Sequence, residues 1–292
     1  MRINLSRGPL EAAVRTRGGE LVSLRRDGTE YIWGGDPSFW SGQNPVLFPI
    51  VGSLKNGQVD INGRTFEMDR HGFARRSEFT VVDRGGDFAV LELRESPETL
   101  ARYPFPFALR VRHQLLEDGF STAFTVENTG DVPMPFCVGA HTAFCCPLAA
   151  GERFEDYCLT FDRPEDAATL LLTPEGLLRS GASEPMLQGG VLPLDYEVFR
   201  RLDTVIFQGL QSRAVSLTRR DTGRGVRMDF SQFPMVAFWT KPGAPFLCLE
   251  PWQGCAACED ETGRFQDKPW AVTLAPGERK TLAYTVTLLP GN

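Results

Sequence analysis

The sequence predicts an all-β protein, a large antiparallel β-sandwich with a ligand groove across one concave sheet. Strand-like runs separated by turn residues recur almost from end to end. Helical periodicity is scarce. The 29 glycines and 21 prolines are spread through turns instead of gathering in a linker, so the 292 residues read as one domain, 1–292. Strands at this density, with few helices, form antiparallel sheets packed face to face or closed on themselves. Such a sandwich has few deep cavities, so polar side chains from several strands would have to converge in a groove.

Individual elements follow from turn chemistry. "FTVVDRGGDFAVLEL" sets two β-rich runs around Arg84-Gly85-Gly86-Asp87, a hairpin signal. "SPETLARYPF" holds one short helix or turn ahead of Pro104. "LRVRHQLLEDGFSTAFTVENTG" alternates around Glu117-Asp118-Gly119, and "AVSLTRRDTGRGVRMDFS" turns at Asp221-Thr222-Gly223. "MVAFWTKPGAPFLCLEPW" turns at Lys241-Pro242-Gly243, and "RKTLAYTVTLL" closes the chain. No internal repeat or low-complexity segment interrupts this order.

Composition narrows the function. Hydrophobic residues make up 42% and charged residues 23%, which is globular usage. A net charge of -6 and a pI near 5.3 argue against nucleic acid as the main partner, though not against a small phosphate. No run approaches the ~20 apolar residues that span a bilayer, and the first residues lack a signal-peptide core. The expectation is a soluble, cytoplasmic protein, monomer or homodimer, with no nucleic-acid or membrane partner. The seven cysteines are odd in number and lack an export context, so no disulfide framework is expected. The one CxxC, Cys255 to Cys258, has no second pair to complete a structural zinc site and reads as reduced thiols in a loop.

Three side chains stand out as chemistry. His71 lies in "MDRHGFARRSEF", beside a glycine that permits close approach, with Arg75 four residues on. His141 lies in "FCVGAHTAFCCP", where an apolar strand ends in Gly139-Ala140; a proton-transfer role and a capped core position both fit. Glu250 ends the apolar run Phe246 to Leu249 in "PFLCLEPWQG", a setting that raises a carboxyl pKa and makes it a stronger base. His113, in "RVRHQLL", is expected to face solvent or the opposite sheet surface. No G-x-S-x-G elbow, G-x-G-x-x-G or P-loop is present. Two histidines and a glutamate could hold a metal.

The segments "GGELVSLRRDGTEYIWGGDPSFW", "PVLFPIVGSLKNGQ", "HGFARRSEF", "VENTGDVPMPFCVGAHTAF", "DTVIFQGLQS", "CLEPWQG" and "LAPGERKTLAYTV" occur in this order along most of the chain. In them the sequence resembles the aldose 1-epimerase (galactose mutarotase-like) superfamily, in the branch of LacX-type proteins. The resemblance implies a β-supersandwich, sugar binding in its groove, and interconversion of α and β anomers of an aldose with no metal and no organic cofactor. It also implies His71 and His141 as the active-site histidines and Glu250 as the catalytic carboxylate. Arg75 is the nearby cation, and Asp203 is placed as an acceptor for a sugar hydroxyl.

Anomerisation needs a proton removed from the O1 hydroxyl while another reaches the ring oxygen. Glu250 is assigned as base on O1–H, His141 as acid to the ring oxygen, and His71 as a hydrogen-bond donor to O1 or O5. Trp252 or Phe144 could flank the C–H face of the sugar. Two departures from galactose mutarotases proper leave the sugar open: Ser53 stands where they carry an arginine, and Thr142-Ala143 follow His141. "HGFAR" is shared with hexose-6-phosphate epimerases of the same fold, which makes a phosphorylated hexose the second reading. A lone Arg75 opposite Ser53 is thin for a dianion, so a neutral aldose is expected to exchange faster. A noncatalytic sugar-binding or sensing module is the alternative outside enzymology, against which the retained trio argues.

Overall fold

The computed structural model describes residues 1–291. Two large sheets dominate. The nine-stranded sheet runs, in spatial order, Val191–Pro193, Tyr157–Phe161, Ala214–Arg219, Gly225–Asp229, Arg279–Leu289, Gly119–Asn128, Phe107–Leu115, Phe88–Arg94 and Thr80–Arg84. The six-stranded sheet runs Thr204–Gln208, Met235–Trp239, Phe246–Gln253, Val138–Ala140 and Val46–Leu47, with Thr142–Cys145 also paired to Phe246–Gln253. Pairing in both is antiparallel. The hairpins expected at residues 84–87, 117–119, 221–223 and 241–243 all form. No helix among the described residues is long and apolar enough to cross a membrane.

The two sheets meet through large aromatic side chains. Phe161 packs on Phe207 and Phe238 at 5.8 and 6.0 Å, Phe48 packs on Phe107 at 5.1 Å, and the Thr142 hydroxyl meets the Tyr284 hydroxyl at 3.0 Å. The core formed there extends from Ile3 to Leu288. His113 is buried against it; of the two positions expected, solvent or the opposite sheet surface, the solvent-facing one does not hold. His113 is 1% exposed, with Nδ1 on the Thr122 hydroxyl at 2.9 Å and Nε2 on the Gly19 carbonyl at 2.8 Å. The alternation had its phase reversed: Arg110, Arg112 and Gln114 take the outer face, and His113 turns inward.

The short helix expected before Pro104 is Pro97–Leu100, capped reciprocally by Ser96 and Thr99. A second helix, Tyr196–Leu202, was not anticipated. Asp195 caps it by accepting from Glu197 N–H, and only Phe199 is buried, so its apolar stripe is too narrow to read as periodicity.

Candidate active site

Cross-strand register arranges the outer face of the six-stranded sheet into three rows. Thr204, Trp239, Cys248 and Ala143 form one; Ile206, Ala237 and Glu250 form the next; Gln208, Met235, Trp252 and Gly139 form the third. Side chains alternate along a strand, so Phe246, Cys248, Glu250 and Trp252 point to this face while Leu247 and Leu249 enter the core. His141 lies in the break between Val138–Ala140 and Thr142–Cys145, whose pairings with Trp252 and Leu249 place it across from Glu250. Its Nε2 is 3.3 Å from Glu250 Oε1. The Trp40 and Trp239 rings flank the imidazole, with centroids 4.9 and 5.6 Å away.

His71 enters from a loop and is clamped on its own backbone. Its N–H donates to the Gly52 carbonyl at 2.9 Å, its carbonyl accepts from Phe48 N–H at 3.3 Å, and Nδ1 accepts from Gly52 N–H at 3.1 Å. An Nδ1 that accepts leaves the proton on Nε2, so the ring presents a fixed donor. His71 itself has φ 66°, and Gly72 follows at φ +71°, where a Cβ would lie 2.2 Å from the Phe48 carbonyl oxygen. Only glycine fits there. That contact is the structural reason for a glycine after this histidine.

His71, His141, Glu250 and Arg75 line one cavity of about 250 Å³, with Trp40, Trp239, Trp252 and Ile206 among its walls. Burial pushes the Glu250 carboxyl well above the usual 4.5, and the Trp252 indole N–H opposes this without closing a full hydrogen bond. Burial also pushes His141 down to about 3 and His71 well below 6.5, with the Arg75 and Arg70 charges acting in the same direction. Both shifts favour the neutral forms, a protonated carboxyl and an unprotonated imidazole. Glu250 Oε2 and His141 Nδ1 are buried without any hydrogen-bond partner. Buried polar atoms are nearly always paired, so these two are open to a polar partner.

Asp203 is not among the cavity-lining residues. It caps the C-terminus of the Tyr196–Leu202 helix, exposed, and its Oδ2 accepts from the Thr204 hydroxyl at 2.9 Å; Thr204 lines the cavity instead. Phe144 is fully buried in the inter-sheet core and cannot flank a sugar, whereas Trp252 can.

Arg70 is the residue that sequence reasoning missed. Its Nε donates to Ser53 Oγ at 2.9 Å, and it lines the cavity together with Arg75. Gly176 makes room, since a Cβ there would lie 2.0 Å from Arg70 Nη2. Ser53 is thus the anchor of an arginine, not the loss of one. The signal was the residue directly before His71. The loop bearing the CxxC is fixed to the cavity floor: Ala257 N–H donates to the Ser53 carbonyl, Lys55 Nζ to the Glu259 carbonyl, and buried Lys268 pairs with Glu261 at 3.4 Å. Cys255 is buried and Cys258 half-buried, and neither forms a disulfide.

The profile of the aldose 1-epimerase family matches residues 1–287. The chromosomal LacX protein of Lactococcus lactis subsp. lactis is 37% identical over 299 residues, covering 99% of this chain and 100% of that protein. A galactose mutarotase-related enzyme from Lactobacillus acidophilus superposes with a TM-score of 0.94 at 27% identity, covering 99% of this chain and 97% of that one. A galactose mutarotase-like protein from Lactobacillus casei ATCC 334 gives a TM-score of 0.91 at 30% identity, covering 99% and 100%. With galactose mutarotase-like architecture throughout and a family match along nearly its whole length, the chain belongs to the aldose 1-epimerase family.

Proposed function

We propose that the protein is an aldose 1-epimerase that interconverts α and β anomers by acid–base ring opening and reclosure. The observation that carries this reading is the His141–Glu250 pair, 3.3 Å apart and buried, with a neutral His71 donor on the same cavity. Glu250 takes the proton of O1–H, the O1–H electron pair becomes the C1=O1 double bond, the C1–O5 bond breaks, and O5 takes a proton from His141. Rotation about C1–C2 and the reverse transfers close the ring on either face. The pair holds one proton before and after opening, so no charge is imported or exported. The forward step starts from a Glu250 carboxylate and a protonated His141, and the reverse step from a protonated Glu250 and a neutral His141. His71 Nε2–H steadies the oxygen that becomes more negative.

Within this reaction, Arg70 and Arg75 favour a hexose 6-phosphate over a neutral aldose, reversing the expectation from a lone arginine. The acids whose charges act on Arg75 are engaged elsewhere: Asp69 pairs with Arg76 at 2.6 Å and Glu20 with Arg15 at 3.2 Å. Arg75 Nε is buried and unpartnered. Two guanidinium groups on one cavity with no paired carboxylate suit a dianion.

Saturation-transfer NMR on a panel of free and 6-phosphorylated aldoses tests both points. Exchange faster than buffer with at least one sugar supports the reaction, and faster exchange of the 6-phosphate supports the second. No exchange with any aldose gives the protein to the sugar-binding reading.

A further inference from the structure

Cys248 takes no part in the proposed proton transfers, yet its Sγ lies in a group with His141 and Glu250 whose ligand atoms are all within 4.8 Å of one another. Cys248 and Glu250 are two positions apart on one strand and so share a face, while His141 faces Glu250 from across. All three are buried. The 3.3 Å from His141 Nε2 to Glu250 Oε1 is the edge of a tetrahedron with metal–ligand bonds of ~2.0 Å, the length zinc makes to imidazole and carboxylate. The sulfur needs to close to roughly 3.5 Å from its partners for a Zn–S bond of ~2.3 Å, about an ångström of side-chain movement. Glu250 Oε2, buried and unpartnered, is a second oxygen free to turn toward an ion.

We propose that this trio takes up one Zn²⁺, on Cys248 Sγ, His141 Nε2 and the Glu250 carboxylate, and that the bound ion blocks turnover by occupying both proton-transfer groups. Binding releases the thiol proton and the carboxyl proton to solvent. Thiolate and carboxylate then supply two negative charges against the ion's two positive ones, so the loaded site adds no net charge beside Arg70 and Arg75. A thiolate–imidazole–carboxylate set selects a borderline-soft ion, and Mg²⁺ and Ca²⁺, which take oxygen ligands, do not bind. The ion is an inhibitor of the site, not a component of the reaction.

The site is tested on full-length protein stripped with a chelator, then titrated with zinc chloride by calorimetry and against a chromophoric zinc chelator. The expected result is about one zinc per chain, with affinity at least roughly 10–100-fold weaker in both Cys248→Ala and Cys248→Ser. Cys258→Ala, which removes a half-exposed thiol elsewhere, leaves it unchanged. The serine variant keeps the volume while removing the soft ligand, so loss in alanine alone would mark a disturbed cavity and overturn the assignment. Equal affinity in parent and Cys248→Ser, or no uptake by the parent, would also overturn it. Anomerisation is the second readout: zinc inhibits the parent in competition with sugar, and Cys248→Ala turns over normally and resists zinc. Zinc binding by a parent that exchanges no sugar would leave the metal site standing and remove the proposed function instead.

Discussion

The nine-stranded and six-stranded sheets share antiparallel pairing but treat their two faces differently. Along Phe107–Leu115 and Gly119–Asn128, fully buried residues alternate with half-buried ones, one face on the core and the other toward solvent. Along Phe246–Gln253 all eight positions are buried. The six-stranded sheet is covered on its second face as well, by the tryptophans that surround His141. A carboxyl placed there is desolvated, which raises the pKa of Glu250. Glu92, on the outer face of the nine-stranded sheet, instead meets Arg94 and Arg110 at 2.7 Å each.

A histidine from each sheet sharpens the point. Burial lowers His113 to about 4 and His141 to about 3, so the pKa alone does not separate them. Hydrogen bonding does. Both nitrogens of His113 are satisfied within the protein, whereas His141 leaves Nδ1 unpartnered and aims Nε2 at a carboxyl. His113 is thereby a structural cross-link, while His141 keeps one nitrogen open to a further partner.

The largest effect that tests this contrast is Glu250→Gln, expected to lower the exchange rate by about 10²–10⁴-fold while sugar binding persists. The same change should raise Tm at neutral pH. A carboxyl whose folded pKa lies above 4.5 keeps a proton that the unfolded chain has released, a cost to folding that vanishes as the pH falls below 4.5. Near-parent exchange by saturation-transfer NMR would remove Glu250 from the role of base. His141→Asn should cost a comparable factor, and the double variant should be no slower than the worse single one, because acid and base act in one step. The parent's rate profile should be bell-shaped: the pair gains a second proton toward about pH 3, leaving no base, and loses its only proton above the raised carboxyl pKa, leaving no acid.

Smaller and more selective, Arg70→Ala and Arg75→Ala should each weaken a 6-phosphorylated aldose by about 10–100-fold, as expected for a lost charge-assisted contact, and leave the neutral sugar within a few-fold. Equal losses on both sugars would break the phosphate reading. Least visible in activity is His113→Asn, which should keep exchange within a few-fold of the parent. Its cost falls on stability, about 1–3 kcal/mol by chemical denaturation, because the Gly19 carbonyl and the Thr122 hydroxyl lose a partner. With its folded pKa about 4 against the usual 6.5, His113 contributes stability that is present above 6.5 and lost as the pH falls toward 4.

The sequence by itself determined the β architecture, because turn chemistry and two-residue alternation are local properties that survive in a string of letters. It also singled out His71, His141 and Glu250, whose odd settings, beside a glycine or at the end of an apolar run, are equally local. Only the tertiary structure decided which polar groups are satisfied and which charges meet. Ser53 and Arg70 are 17 residues apart, Gly176 makes way for that arginine from another hairpin, and Cys248 joins His141 only through strand register. The inward turn of His113 rests on one residue of phase, and its bond to Gly19 spans 94 positions. Hydrogen bonding and desolvation depend on distance in space, and a sequence records only distance along the chain.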